Sequence, residues 1–372
     1  MSDPDVAALA PVDQARLTAR LAEVVDLGGP LEVAVLSGGR SNLTYIVRSG
    51  PHDYVVRRRP LGPVAPGAHD MAREHRVLRA LQGSGLPVPP VYGYFDDDTC
   101  VGAPFYVMGR VAGAVFHRAE DVATLTPAEA RSLSDAVIDV LDRLHKVDVA
   151  AVGLAELGRP DGFVARRIGR WLEQWRRGPH RAQPMVEELA GRLSAAVPAR
   201  TDNSLVHGDY RLGNLLVGFD ESAGVDRPAR VAAVLDWEMS TLGDPLTDLA
   251  HLLVYWEPTR GRVTHVSQAI ADRPGFRNGA ELAARYAGRS GRDVSALPFY
   301  LAFEHWRAAI IKEAIVMRTS GASGASGAAG RALPPGQPLP AGPGADNGGP
   351  DDDLAASVAL HLEEAADLLG PA

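Results

Sequence analysis

A single cysteine, Cys100, occurs in 372 residues, which excludes a disulfide framework and a thiolate-rich metal centre. No stretch approaches the roughly 18 to 20 uninterrupted apolar residues that a membrane-spanning helix needs. Basic charge is not in excess either: 38 Lys and Arg stand against 46 Asp and Glu, a formal net charge of -8. That balance argues against a general nucleic-acid binder. The opening Met1-Ser2-Asp3-Pro4-Asp5 has neither the basic region nor the apolar run of a secretory signal, so the expectation is a cytoplasmic protein with no membrane and no nucleic-acid polymer among its partners. What the chain does have is 46% hydrophobic residues, enough over this length for two lobes with cores of their own.

The chemistry concentrates in Leu205-Val206-His207-Gly208-Asp209-Tyr210-Arg211-Leu212-Gly213-Asn214-Leu215-Leu216-Val217. Its apolar ends read as short buried strands and His207 to Asn214 as the loop between them. Asp209 and Asn214 stand five positions apart, the spacing of a protein-kinase catalytic loop, in which the Asp orients or deprotonates a hydroxyl and the Asn holds magnesium. About twenty residues on, the apolar run Val231 to Leu235 ends at Asp236. Phosphoryl transfer asks for metal ligands and an aligned hydroxyl rather than covalent help, so Asp209, Asn214 and Asp236 make a minimal kit of base and two metal ligands.

Upstream, Leu31 to Leu36 and Thr44 to Arg48 read as strands flanking the turn Ser37-Gly38-Gly39-Arg40-Ser41-Asn42. Such a turn either makes a plain hairpin or lays backbone N–H groups over phosphates. A third strand, Tyr54 to Arg57, delivers a cation at Arg57. The helix expected over 69–82 carries Glu74 on the face of Val77, Leu78 and Leu81, where it either meets solvent or pairs with Arg57. Val91 to Phe95 and Phe105 to Met108 read as a hairpin across a solvated acidic tip, Asp96 to Asp98, and Met108 marks the hinge whose backbone would read an adenine edge. From Thr126-Pro127-Ala128-Glu129 onward the pattern is helical. The helix over 163–176 carries Arg166, Arg167, Arg170, Arg176 and Arg177, which read as a solvated face or as a dock for an anionic carrier. Asp248 is expected to brace the catalytic loop by taking up backbone N–H groups. His145 and His207 are read as structural.

In order and spacing, Ser37 to Tyr45, Val55 to Arg58, Glu74 to Leu78, His207-Gly208-Asp209 with Asn214, Leu235 to Glu238, and Gly243-Asp244-Pro245 with Asp248-Leu249-Ala250 resemble the aminoglycoside phosphotransferase and choline kinase-like superfamily. Within it the chain is similar to the branch holding the kinase-like domain of acyl-CoA dehydrogenase family members ten and eleven. The resemblance covers most of residues 31–318. It implies an α+β, two-lobed protein-kinase-like fold with a small antiparallel-sheet N-lobe and a larger, mostly helical C-lobe. It further implies ATP and Mg2+ in the cleft, Gly38, Gly39, Arg40, Ser41, Asn42, Arg57, Glu74 and Met108 at the nucleotide, Asp209 as base, and Asn214 and Asp236 as metal ligands. Arg57 departs from the lysine most kinases carry there.

The expected divisions are an N-terminal lobe over 1–108, a catalytic and substrate lobe over 109–318, a disordered low-complexity insert over 319–353, and a final helix over 354–372 that packs on the C-lobe. The expected activity is transfer of the γ-phosphoryl group to a hydroxyl of a small molecule, a hydroxyacyl thioester or related metabolite by family analogy. The competing readings are an aminoglycoside- or macrolide-type antibiotic kinase, a nucleotide-binding pseudokinase scaffold, and a metallohydrolase built on His207, Asp209 and Asp236.

Overall fold

The structure, a computed structural model, describes residues 12–36, 42–61, 69–199, 202–262, 269–323 and 351–371. The chain divides into two compact units. Among the described residues the first holds 12–82 and 88–111, and the second 83–87 and everything from 112 onward.

The first unit is a five-stranded antiparallel sheet with two helices. Its strands are β1 (Leu31–Val35), β2 (Leu43–Ser49), β3 (His52–Arg58), β4 (Val91–Phe95) and β5 (Phe105–Gly109), in the order β1-β2-β3-β5-β4. Alternation drives one face inward: Tyr45 and Val47 of β2, Tyr54 and Val56 of β3, and Phe105 and Val107 of β5 pack with Leu17 and Leu21 of α1 (Gln14–Ala22). Asp70 caps α2 (Met71–Leu81), its side chain accepting from the N–H of Arg73 at 2.9 Å. This helix packs on β4 and β5 with Val77, Leu78 and Leu81 buried. The β4–β5 connection is more built than a solvated tip: Asp97 accepts from both the N–H and hydroxyl of Thr99 and pairs with Arg20, which holds its carboxyl at about 2, and Cys100 beside it is buried.

The second unit opens with α3 (Pro127–His145), α4 (Phe163–Arg177) and α5 (Pro184–Ala195). The start of α3 follows from its cap: the Thr126 hydroxyl accepts from Glu129 N–H, the Glu129 carboxylate accepts from Thr126 N–H, and Pro127 sits where no donor is needed. Two antiparallel pairs follow, β6 (Ser204–Val206) with β9 (Thr241–Gly243) and β7 (Leu215–Phe219) with β8 (Ala229–Val234). Then come α6 (Leu246–Trp256), buried along its whole length, α7 (Gly279–Ser290), α8 (Leu297–Ser323) and α9 (Asp351–Leu368), which packs on α8.

Two boundaries differ from the sequence-based divisions. The first unit runs to Val111 rather than Met108, because Gly109 N–H bonds Pro90 O at 2.8 Å and Arg110 pairs with Asp53 at 2.6 Å, while Ala114 begins the second unit by bridging Val217. The segment taken as an insert from 319 contributes its first residues to α8, which reaches Ser323, and helix resumes at Asp351 rather than Leu354. Residues 324–350, and with them the expected disorder, lie outside the described residues.

Candidate active site

The catalytic loop hangs between β6 and β7, two strands that pair with different partners, so each end is anchored separately. Gly208 permits its first bend. It sits at φ +83°, and a Cβ there would lie 2.7 Å from the carbonyl oxygen of Met239, so a side chain would be both strained and in collision. Asp248, fully buried on the first turn of α6, fastens the bend: Oδ2 accepts from His207 N–H at 2.6 Å and Oδ1 from Gly208 N–H at 2.8 Å. His145 Nε2 stands 3.3 Å from the same carboxylate and its Nδ1 is 2.7 Å from the Tyr286 hydroxyl. Burial lowers the pKa of His145, while His145 and the loop N–H groups outweigh the burial of Asp248 and keep that carboxyl ionised. The bracing role expected of Asp248 is thus made by two charge-assisted hydrogen bonds.

His207 is spent on structure. Its Nδ1 accepts from Asp209 N–H at 3.2 Å, which puts the ring proton on Nε2, donated to Leu235 O at 2.8 Å. With both nitrogens used, His207 has no lone pair for a metal. Among the described residues no group of three or more His, Cys, Asp or Glu is arranged to hold a metal ion, so the metallohydrolase reading lacks its donor set.

Asp209 is about one-sixth exposed and carries three side-chain partners. Asn214 Nδ2 donates to its Oδ2 at 2.7 Å, and Arg211 Nε and His251 Nε2 meet its Oδ1 at 3.1 and 2.8 Å. Burial disfavours the charged form, yet Arg211, His251 and His207 outweigh it and hold the carboxyl well below the usual carboxylate range. Asn214 also donates to the Asp209 carbonyl at 2.8 Å, which fixes its amide with the nitrogen toward Asp209 and the oxygen directed elsewhere.

The two expected metal ligands are neighbours by backbone pairing. Leu235 N–H donates to Asn214 O at 2.8 Å, one step beyond the Leu215–Val234 pair, so Leu235 lies across from Asn214 and Asp236 is the next residue along. Asp236 adopts φ 64° and ψ 65°, a left-handed conformation that a residue with a Cβ enters only at a cost of about 1–3 kcal/mol. A carboxylate and an amide oxygen are donor types that a hard divalent cation takes while keeping several waters.

In the first unit, Arg57 of β3 meets Glu74 of α2 at 3.2 Å, the carboxylate being 1% exposed. The pairing left open by the sequence is therefore formed. Asn42 is buried and Met108 lies in β5 opposite Val55. Gly38, Gly39, Arg40 and Ser41 lie outside the described residues.

The phosphotransferase enzyme family profile matches residues 32–290 of the chain. The chain belongs to that family. Acyl-CoA dehydrogenase family member 11 of Gallus gallus is 36% identical to this phosphotransferase over 298 residues, 78% of the present chain and 37% of that protein. Family member 10 of Mus musculus is 32% identical over 297 residues, 78% of this chain and 27% of its own. The chain thus spans about a third of the length of these curated relatives. Among solved structures, a Ralstonia eutropha protein provisionally named an aminoglycoside phosphotransferase superposes with a TM-score of 0.74 at 30% identity, covering 95% of this chain and 98% of that one. An aminoglycoside phosphotransferase solved with streptomycin and ATP gives 0.54 at 17% identity over 82% of this chain and 91% of its own, a likeness of fold alone. The α+β kinase-like fold of this phosphotransferase is shared with both.

Behind Asp209 stands a layer that sequence patterning did not assign. His251, one turn along α6 from Asp248, touches Asp209 with Nε2, while its Nδ1 lies 2.9 Å from Glu304 Oε2 and beside the Arg307 guanidinium. Glu304 and Arg307 pair with each other on α8, and all three side chains are buried. The available signals were an Asp and a His three apart on an otherwise apolar helix, and Glu304 with Arg307 at the same spacing inside the inward stripe of α8.

Proposed function

We propose that the chain transfers the γ-phosphoryl group of ATP, with Mg2+, to a hydroxyl of a small molecule. The observation that supports this is the bonded sequence Asp209–Asn214–Leu235, in which Asn214 holds the Asp209 carboxylate and its backbone oxygen takes the N–H of the residue before Asp236. Asp209 accepts the hydrogen bond of the acceptor hydroxyl and aims its oxygen. Asn214 Oδ1 and the Asp236 carboxylate would hold the metal, which would supply charge neutralisation to the phosphates. In the first unit Arg57, held by Glu74, is the cation for the α- and β-phosphates, and the backbone at Met108 reads the adenine.

For the acceptor, a hydroxyacyl thioester or a related hydroxylated metabolite is taken by family analogy alone.

The test is titration of the chain with ATP, with and without Mg2+, followed by transfer of labelled phosphate to a panel of hydroxylated metabolites. Metal-dependent ATP binding and transfer to a panel member are expected, with Asp209→Asn lowering kcat by roughly 10²- to 10⁴-fold while ATP affinity stays within a few-fold. Absence of nucleotide binding refutes the kinase reading, and binding without turnover supports a scaffold instead.

A further inference from the structure

The carboxylates around Asp209 are all matched, and one cation is not. Asp209 is met by Arg211, His251 and Asn214; Glu304 by Arg307 and His251; Asp248 by two backbone N–H groups and His145. Arg167, on α4, is 7% exposed, yet among the described residues its guanidinium has no hydrogen bond and no ion pair. Its one close neighbour of note is the ring of Phe163, 5.4 Å from its Cζ.

The other arginines of this helix are spent or outside. Arg166 bonds the carbonyls of Asp161 and Arg159, Arg176 pairs with Glu187, Arg177 pairs with Glu173, and Arg170 is exposed. A helix that turned all its arginines to solvent would bury none. A guanidinium with five donors, nine-tenths buried and given no acceptor by the protein, is left to whatever acceptor water or a ligand brings to it.

Its neighbours tie it to the reaction site. Phe163, one turn before it, packs so closely on Gly243 of β9 that a Cβ there would stand 2.5 Å from the ring, and β9 pairs with β6, the strand that feeds the catalytic loop. Trp171, one turn after it, carries the Arg307 guanidinium at 5.8 Å, and Arg307 touches His251, which touches Asp209. Charge–charge coupling of Arg167 to Arg307, Glu304 and Asp248 says the same; burial first, then Arg307, pulls its pKa to about 10, which leaves it charged at neutral pH.

We propose that Arg167 is a specificity-determining residue that reads an oxyanion, a carboxylate or a phosphate, on the acceptor molecule. The guanidinium fork matches either group with two parallel N–H···O bonds. The acceptor is therefore a hydroxylated molecule that carries an acidic group at a distance from the hydroxyl that Asp209 aims. This rests on the phosphotransferase reading for its use, but the subsite itself is measurable without turnover.

Two arms test it on the full chain. In the first, tryptophan emission is followed while hexanoate, hexyl phosphate or hexanamide is titrated in, with ADP saturating the nucleotide site. Saturable binding of one or both anions but not of the amide is expected, and the anion that binds more tightly identifies the group. Arg167→Met should weaken that binding roughly 10- to 150-fold, the worth of one charge-assisted contact set, Arg167→Lys should recover part of it, and the Met variant should melt higher than the parent because an unmatched buried charge has gone. Amide binding equal to anion binding, unchanged anion binding in Arg167→Met, or a Met variant that melts lower and binds as before overturns the proposal. In the second arm, phosphate transfer to hydroxy acids of four to eight carbons is compared with transfer to their methyl esters and to amino alcohols of the same length. A KM ratio favouring the acids that collapses in Arg167→Met is expected. Transfer that favours esters or amines overturns the anion subsite while leaving the kinase intact, whereas absence of ATP binding refutes the kinase and leaves the first arm standing.

Discussion

Removing the Asp248 carboxylate tests how the catalytic loop is held. In Asp248→Ala the N–H groups of His207 and Gly208, now bonded at 2.6 and 2.8 Å, are left buried without an acceptor, and His145 loses its partner at 3.3 Å. An orphaned buried N–H costs about 1–3 kcal/mol, so for the two of them a loss of about 4 kcal/mol is expected. For a unit of this size that is a fall in melting temperature of roughly 8–16 °C. Asp248→Asn keeps one carbonyl oxygen but turns an NH2 group toward the second donor, so about half the loss is expected. Guanidinium denaturation followed by tryptophan emission is the assay, since Trp237 lies 4.8 Å from His207 and reports on the loop itself. Glu173→Gln, which opens an exposed pair with Arg177, is the control and should cost under about 0.5 kcal/mol. A loss below 1 kcal/mol in Asp248→Ala, or an Asn variant weaker than the Ala variant, would show that the loop does not depend on this carboxylate.

Two further perturbations address the layer around it. His251→Phe removes the Nε2 contact to Asp209 and with it one of the influences that depress that carboxyl, so kcat should fall by about 10-fold or more and the acid limb of the pH–rate profile should move upward; a profile superimposable on the parent's would refute the positioning role. His305 on α8 shares a 2.8 Å hydrogen bond with His361 of α9, and burial, ahead of the nearby Lys312, takes its pKa from 6.5 down to about 4. A depressed histidine favours the neutral folded form, so its contribution is complete above 6.5 and is lost as the pH falls toward 4, by about 3 kcal/mol. Urea midpoints measured across that window should fall, less steeply in His305→Phe, and a flat series in the parent would contradict it.

How much of this could be read from the sequence depended on whether the determinant was local. The start of α3 was legible to the residue, because Thr126, Pro127 and Glu129 carry the cap among themselves. The strands of the first unit were legible from alternation. The end of that unit was not, because Arg110 is held by Asp53, a partner 57 positions away that no window contains. Glu74 could be placed on a helix face, but whether that face met solvent or Arg57 was a question of packing. His251 was visible as a histidine and invisible as a partner of Asp209, 42 positions upstream. Arg167 illustrates the limit most plainly. Five arginines on one helix read alike in sequence, and only the fold separates the four that are paired or exposed from the one buried without an acceptor.

The partners of Asp209 bear on what a base can be in this reaction. A carboxyl held far below its usual range by Arg211 and His251 is a weak acceptor for a proton, so it cannot drive the reaction by early deprotonation of an alcohol. Phosphoryl transfer does not ask for that: in a loose transition state the bond to the attacking oxygen is little formed, and the hydroxyl proton becomes acidic only late. What the hydroxyl needs until then is direction, and direction requires a carboxylate that does not swing. Asn214 fixes one oxygen of Asp209, Arg211 and His251 fix the other, and Glu304 with Arg307 fixes His251 from behind. The same contacts that weaken Asp209 as a base therefore make it a better aiming device. A site so arranged trades proton affinity for alignment, which is the trade a phosphotransferase can make and an enzyme that must strip a proton early cannot.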